Sequence, residues 1–401
     1  MWAVDKFCPT PQRLANVYGR VFFLTLLFFL AFISRFIFSP LMPTIGPDVG
    51  LSPGQAGTVF FLGSLGLLTG SFISGLVSSR LNHRGTLILA TSASAVTLMS
   101  CYFAGSLWSV QLAMIVLGFC AGLNQPSVVA TTAAIVRRED WGKALSIQQL
   151  GPRLSYLVAP FLAVGLLAVM SWQASLAIIG VIMAVCVLAF ALWGNCGGFP
   201  GTPPNPSLLR IVFTTRSFWL MVLLFALGIG AQAGLYTMIP LYLTSERGFS
   251  SAAANTVLGL AGVAPLVTAF FAGWLSDRIG ERRALLIFMV LTGATAMVVG
   301  SVSGAALVAA ILVLSTLSAC FFPPAFAALS RIVQPNLRNL AAGMGPPIGF
   351  MLGGGLLPLA LGYMGQAYSI GAGIVIAGAA VAVGAFVVFG VRLLDTLEEG
   401  C

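Results

Sequence analysis

Charged residues are scarce in this chain. They make up only 7% of its 401 residues, and only ten residues are acidic, whereas 59% of the residues are hydrophobic. A soluble domain of this length cannot bury so many apolar side chains, so the composition excludes a soluble globular protein. It predicts an integral membrane protein that is surrounded by a lipid bilayer.

Residues that serve metal, redox and nucleotide chemistry are also few. The chain has one histidine, His83, which we interpret as an ordinary loop residue, and seven scattered cysteines without a CxxC pair. This gives no metal-binding or disulfide pattern. No GxxxxGK[ST] loop is present for ATP, and no nucleophile, base and acid occur together. We therefore expect no cofactor and no enzyme activity.

Apolar runs of about 20 residues recur along the whole chain, and each can cross a hydrocarbon core of about 30 Å. The runs are apolar on all sides, which excludes the alternating pattern of a transmembrane barrel. We predict an all-α membrane protein with twelve transmembrane helices in two pseudo-symmetric six-helix bundles. The predicted spans are residues 19–43, 54–79, 86–105, 107–136, 144–170, 173–193, 217–243, 251–276, 284–303, 305–329, 340–362 and 369–392.

The positive charges predict the orientation in the membrane. With the N-terminus in the cytoplasm, 16 of the 19 lysines and arginines fall in cytoplasmic segments, and only Arg247 falls on the other side. The positive-inside rule therefore places both termini in the cytoplasm. It also accounts for the net charge of +9, so we expect no nucleic-acid partner. The short loops suggest a bacterial inner membrane, and we expect a monomer.

The longest polar interruption, residues 194–216, is rich in glycine and proline, which disfavour helix and suit a linker. It separates an N-terminal bundle, residues 1–193, from a C-terminal bundle, residues 217–401. Such duplication is common in transporters whose binding site lies between the two halves at the membrane midplane.

A short pattern occurs in both halves. The loop after the eighth run reads Gly-x-x-x-Asp-Arg-x-Gly-x-Arg-Arg, and the loop after the second run is a degenerate copy with Ser79 for the acid and Asn82 for the second glycine. The pattern resembles the signature of the major facilitator superfamily, whose members are twelve-helix secondary transporters. This resemblance implies gating roles for Gly75, Arg80, Gly273, Asp277, Arg278, Arg282 and Arg283. We expect Asp277 to cap a helix start and to pair with arginines.

Two arginines, Arg35 and Arg153, lie inside apolar runs that contain no acidic residue. A charge at the centre of a membrane helix costs about 2.5–3.5 kcal/mol on insertion scales. An economical explanation is that a substrate supplies the missing negative charge. The planar guanidinium can hold a carboxylate, phosphate or sulfonate through two parallel hydrogen bonds.

Polar residues near these arginines are candidates for the rest of the site. Gln149, Arg153 and Tyr156 share one helix face, which we expect to line a central cavity. Further candidates are Asn124, Gln125, Gln232 and Tyr236. Structural interpretations stay open: Arg153 could bind carbonyl groups freed near Pro152 or reach toward the cytoplasmic headgroups, and the other polar groups could join neighbouring helices.

Arg35 lies eight residues before Pro43. This arrangement is similar to that of the substrate arginine of the glycerol-3-phosphate antiporters and of the anion:cation symporter family. The resemblance implies that Arg35 binds an anionic group. The symporters often place an aspartate directly before this arginine, whereas this chain has Ser34, so the resemblance does not extend to proton coupling there.

Proline and glycine interrupt the last spans. Pro323–Pro324 and Pro346–Pro347 break the tenth and eleventh spans, and Gly353–Gly355 loosen the eleventh. Both residue types release backbone hydrogen bonds at membrane depth and permit bending. We interpret these positions as hinges of a gate.

Together these patterns predict a secondary or facilitative transporter of a small anion that works by alternating access. Arg35 and Arg153 would bind the anionic group. Anion exchange, uniport, and symport with a proton carried on the substrate all fit the sequence. The alternatives are an exporter of neutral amphiphilic compounds with structural arginines, and a transporter-like fold that acts as a receptor.

Overall fold

A computed structural model describes residues 14–202, 206–334 and 337–393. These residues form helices, and no strand occurs among them. The chain ends, which we expect in the cytoplasm, lie outside the described residues. The α-helices are α1 (Leu14–Phe36), α2 (Phe38–Val49), α3 (Pro53–Ser100), α4 (Leu107–Ile135), α5 (Trp141–Gln148), α6 (Leu150–Leu167), α7 (Trp172–Trp193), α8 (Pro206–Thr214), α9 (Arg216–Ile229), α10 (Leu235–Ser245), α11 (Ser251–Ala261), α12 (Pro265–Ile279), α13 (Glu281–Ser301), α14 (Gly304–Ala319), α15 (Phe322–Ser330), α16 (Arg338–Phe350), α17 (Leu357–Ala367) and α18 (Ile370–Gly384).

Eleven helical segments among the described residues are long and apolar enough to cross a membrane, against the twelve that we predicted. The difference lies in one segment of 51 residues, Pro53–Phe103, which contains the predicted span 54–79 and all but the last two residues of the predicted span 86–105. At about 1.5 Å per residue it is more than twice as long as a hydrocarbon core is thick. Its backbone leaves the helical conformation at Asn82.

The two signature loops have the same geometry. Asn82 has a φ of 58°, and Gly280, which holds the equivalent position, has a φ of 86°. Two residues later in each loop, an arginine donates to a carbonyl group, which lies near the end of α7 in the first half and directly after the 3₁₀ turn Ala385–Gly390 in the second half. Arg84 Nη2 lies 2.7 Å from Ala191 O, and Arg282 Nη2 lies 2.7 Å from Val391 O. Such contacts satisfy carbonyl groups that a helix end leaves free.

Prolines interrupt four spans near the middle of the molecule. A proline ring clashes with the carbonyl group four residues earlier, so a helix bends or ends there. The breaks lie at Ile37 before Pro40, at Gln149 before Pro152, at 262–264 before Pro265, and at 320–321 before Pro323. The predicted break in the tenth span is thus confirmed, whereas Pro346 and Pro347 lie inside α16.

Two π-helical segments face each other across the second half, at Gly230–Gly234 and Met351–Leu356. The predicted loosening at Gly353–Gly355 takes this form. A Cβ atom on Gly353 would lie 2.0 Å from Ala226 O, so only glycine permits the close approach. Short π segments of this kind are frequent at functional sites.

The linker is more ordered than we predicted. Residues 206–214 form α8, so the expectation that 194–216 resists helix formation is wrong for this part. The preceding residues pair with the first signature loop: Arg84 N donates to Gly197 O at 2.8 Å, and His83 N donates to Phe199 O at 3.1 Å. These two N–H groups start a helix and would otherwise lack acceptors.

Candidate functional site

A cavity of about 310 Å³ lies between the two halves of the chain. The helices that surround it include α1, α6, α10, α11, α14 and α16, together with the π segment Gly230–Gly234. Its walls are largely aliphatic and aromatic. The polar side chains on its surface are Gln125, Gln149, Arg153, Tyr156, Gln232, Tyr236, Ser315 and Ser318, and none of its lining residues is acidic.

Arg153 lies on the wall of this cavity, near the start of α6. Pro152 causes the helix break at Gln149, and α6 therefore starts beside the cavity. Gln149, Arg153 and Tyr156 all reach the cavity surface. The predicted polar face of the fifth span therefore faces the cavity. Arg153 is half-buried and makes no hydrogen bond or ion pair with any residue that the structure describes. Its guanidinium donors are therefore free to bind a ligand.

Arg35 lies in a separate, smaller compartment. Its side chain is only 5% exposed, and its Nε and Nη1 atoms have no hydrogen-bond partner among the described residues. The guanidinium lies over the ring of Phe350, 5.2 Å from the ring centroid. The adjoining space of about 10 Å³ is lined by Arg35, Phe36, Phe60, Ser64, Met114, Ala233, Thr237, Phe350 and Gly354. A site in which both arginines bind the same anionic group would require them to share one cavity. In this structure they do not.

Three aromatic rings join the two halves at one side of the large cavity, and two of them, Tyr156 and Tyr236, line it. The ring centroids of Phe36 and Tyr156 are 4.2 Å apart, and those of Tyr156 and Tyr236 are 4.6 Å apart. The hydroxyl of Tyr236 also donates to Tyr156 O at 3.1 Å. Tyr236 therefore acts as both a cavity wall and a contact between the halves.

Beyond these rings the two halves touch, and we call this region the closed end. Ser39 Oγ donates to Tyr236 O at 3.1 Å, and Asn255 Nδ2 donates to Pro40 O at 3.0 Å. A Cβ atom on Gly57 would lie 2.3 Å from Pro358 O, so the backbones of the two halves are in contact there. On the opposite side of the cavity, Gln149 is exposed and Phe326 is 40% exposed.

Asn124 does not reach the cavity. It is buried in α4, and its Nδ2 lies 3.3 Å from the Thr91 hydroxyl in α3. It therefore joins two helices, while its neighbour Gln125 lines the cavity. Gln232 lines the cavity from the π segment Gly230–Gly234 and is half-buried.

None of the predicted gating residues lines the cavity. Arg80, Arg278, Arg282 and Arg283 are exposed around the two signature loops, and Gly75 and Gly273 lie in helices that lead to them. Arg278 stacks on Trp274, with 4.2 Å between its Cζ atom and the ring centroid.

Contrary to our expectation, Asp277 does not cap a helix start. It lies in the last turn of α12, and the residue that precedes α13 is Gly280, which provides no side-chain cap. Asp277 is exposed and forms no ion pair with the described residues. The ion pair found near this loop joins Glu281 to Arg331, with 2.8 Å between Oε1 and Nη1.

The sequence did not reveal the phenylalanines of the cavity wall. They come from α1, α15 and α16, and they are Phe28, Phe32, Phe322, Phe326 and Phe350. The chain has 29 phenylalanines, and their spacing alone does not separate rings that face a cavity from rings that face lipid. The two compartments beside Phe350 depend on contacts between distant segments.

A family model described as the Major Facilitator Superfamily matches residues 24–266 and 234–399 of the chain. The chain belongs to this superfamily. It is therefore an integral membrane protein of a transporter family, and its relatives indicate a transporter rather than an enzyme.

Two superfamily relatives align over most of their length. The chain is 24% identical to the 3-(3-hydroxy-phenyl)propionate transporter of Escherichia coli over 84% of this chain and 86% of that protein. It is also 24% identical to the probable sulfoacetate transporter of Cupriavidus necator over 88% of both chains.

The superfamily fold also appears in a solved structure, a bacterial homologue of the human lysosomal transporter Spinster in an inward-facing and occupied conformation. The TM-score is 0.81, with 14% identity, over 95% of this chain and 97% of that one. At this identity the likeness shows the fold alone.

Proposed function

We propose that this protein is a secondary or facilitative transporter of a small organic anion. The observation that carries the proposal is Arg153, a cation that has no hydrogen-bond or ion-pair partner among the described residues and lies on the wall of a cavity without an acidic lining residue. A guanidinium in such a place attracts a carboxylate or sulfonate and repels a cationic substrate. The names of the two relatives, which refer to hydroxyphenylpropionate and sulfoacetate, support this substrate class.

The transport cycle is alternating access, in which the two halves rock about the cavity. We propose twelve membrane crossings, since the segment Pro53–Phe103 is long enough to cross twice and bends at Asn82. The bundles would be residues 1–193 and 217–401, with the linker and both termini in the cytoplasm of a bacterium. In this orientation the exposed side of the cavity, at Gln149, faces inward.

The groups around the cavity limit the possible coupling modes. Arginine stays protonated at physiological pH and therefore does not carry protons. Because no acidic residue lines the cavity, three modes fit: exchange of two anions, uniport, and symport with a proton bound to the substrate itself.

The decisive experiment measures uptake of labelled benzoate and sulfoacetate by proteoliposomes. We expect Arg153→Gln to lower the uptake of a transported anion at least tenfold, since loss of a hydrogen bond to a charged group costs about 1.5–3 kcal/mol. Arg153→Lys should retain part of the activity because it keeps the charge. Arg210→Gln, which removes an exposed cation on α8 away from the cavity, is the matched control.

Two outcomes would contradict the proposal. One is wild-type uptake of both anions by Arg153→Gln, and the other is no anion flux in the unaltered protein. The apolar walls of the cavity favour a second candidate, an exporter of neutral amphiphilic compounds, whose flux Arg153→Gln would leave unchanged. A receptor would bind a ligand without any flux.

A further inference from the structure

Phe350 separates the compartments of the two arginines. Phe350 and Ala233 line both the large cavity that contains Arg153 and the small space beside Arg35, and Phe350 is the one of the two with a large side chain. The Arg35 guanidinium lies 5.2 Å from the centroid of this ring, so the ring covers the cation on its cavity side. A ligand in the large cavity therefore meets Arg153 directly, whereas the Phe350 ring covers Arg35.

The Arg35 guanidinium lacks hydrogen-bond acceptors in its compartment. The side chain is 5% exposed, and its Nε and Nη1 donors have no acceptor among the described residues. Contact with an aromatic ring offsets part of the desolvation cost of a buried cation but supplies no hydrogen-bond acceptor. The space of about 10 Å³ holds at most one water molecule and is too small for a carboxylate.

The backbone around Phe350 permits such a movement. Phe350 is the last residue of α16, and the π segment Met351–Leu356 follows it directly. The ring rests on Gly354, where a Cβ atom would come within 2.7 Å of Phe350 Cε1. The ring therefore packs against a glycine beside an irregular helical turn, where helices often change shape.

We propose that Phe350 is a shutter between two successive anion sites. The substrate anion first binds Arg153 in the open cavity, and the Phe350 ring then leaves Arg35 so that the anionic group enters the smaller compartment. The hydroxyls of Ser64 and Thr237 line that compartment and now donate to Phe60 O and Gly234 O. Rotation of either hydroxyl would let it donate to the anion. This inference rests on the proposed function, because it orders two steps at the same site.

The test compares anion binding in two backgrounds. We measure the Kd of benzoate, benzenesulfonate, sulfoacetate and inorganic phosphate by calorimetry on the purified protein. With Phe350 present, we expect Arg153→Gln to weaken binding at least tenfold and Arg35→Gln to change it less than threefold. In a Phe350→Ala background, Arg35→Gln should weaken binding at least tenfold, since Arg35 is then open to the cavity.

Two further variants control for side effects of the substitution at Phe350. Phe322→Ala removes another ring of the cavity wall that does not touch the Arg35 compartment, so Arg35→Gln should keep its small effect in that background. Phe350→Leu keeps most of the apolar volume and replaces Phe350→Ala if the smaller side chain impairs folding. An equal effect of Arg35→Gln on Kd in all backgrounds overturns the shutter.

A second measurement does not depend on the substrate. In Ser64→Cys, an anionic thiol reagent should react at least tenfold faster when Phe350→Ala is added, with the parent protein as the blank for its own cysteines. Faster labelling without binding of any of the four anions would show that Phe350 covers the Arg35 compartment but would contradict the proposed function, and with it the two anion sites. Anion binding without faster labelling would overturn the shutter and agree with the proposed function.

Discussion

Asn82 adopts a backbone conformation that usually requires glycine. Its φ of 58° and ψ of 171° lie in a region that costs a residue with a Cβ atom about 1–3 kcal/mol. Its side chain offsets part of this cost, since Oδ1 accepts a hydrogen bond from Gly85 N at 2.8 Å and caps the helix that follows. The second signature loop places Gly280 at the equivalent point without a cap.

We therefore expect Asn82→Gly to raise the free energy of unfolding by about 1 kcal/mol, because the relief of strain exceeds the few tenths of a kcal/mol that an Asn-to-Gly change costs at a cap. Denaturation in detergent measures this change. The matched variant Gly280→Asn introduces a side chain at a φ of 86° and should lower the stability. A stability loss in Asn82→Gly would show that its cap outweighs the strain.

The candidate site was predictable where helical spacing decides it. Arg153 and Tyr156 are three residues apart in α6, and Gln149 directly precedes this helix, so their common exposure to the cavity followed from helical spacing. Asn124 was not predictable in this way, because its buried partner Thr91 comes from another helix. The separate compartment of Arg35 depends on Phe350, more than 300 residues away in the chain.

At the scale of elements, the breaks within spans follow from local sequence, whereas the packing between spans does not. Proline positions predicted where the tenth span breaks, since a proline ring cannot fit an uninterrupted helix. The count of spans differed because a single residue, Asn82, turns the chain between two helices that follow each other without a loop, so Pro53–Phe103 counts as one segment. The π segments meet through glycines, which the sequence shows only as flexible positions.

The contact between the π segments gives an element-scale prediction. A methyl group at Gly353 would lie 2.0 Å from Ala226 O, a backbone atom that cannot rotate away. We expect Gly353→Ala to lower the free energy of unfolding by about 1–3 kcal/mol and to reduce anion uptake, because it forces α9 and the π segment apart. Denaturation in detergent and proteoliposome uptake measure the two effects.

The control is Gly343→Ala in α16, where a Cβ atom would meet no atom within 4 Å. It should leave stability unchanged or raise it by about 0.4–1 kcal/mol, since alanine favours helix. If Gly353→Ala behaved like this control, the close approach of the π segments would not contribute to stability.

At the scale of the whole molecule, contacts between the halves are concentrated at the closed end. Gly57 meets Pro358 there, Ser39 binds Tyr236, and Asn255 binds Pro40. These contacts join segments that are distant in the chain, so no local pattern predicted them. Alternating access requires this end to open while the exposed side of the cavity closes.

A side chain at Gly57 would therefore hold the closed end apart. Its Cβ atom would lie 2.3 Å from Pro358 O, so Gly57→Leu cannot keep the present contact between the halves. We expect this variant to lose at least nine-tenths of its anion uptake.

A labelling experiment tests whether the closed end opens. An impermeant thiol reagent added outside intact cells should label Asn255→Cys about tenfold faster in the Gly57→Leu background, since Asn255 is buried in the present structure. Gly105→Leu is the control, because a Cβ atom there meets nothing within 4 Å. Wild-type uptake by Gly57→Leu would show that transport does not need this end to close.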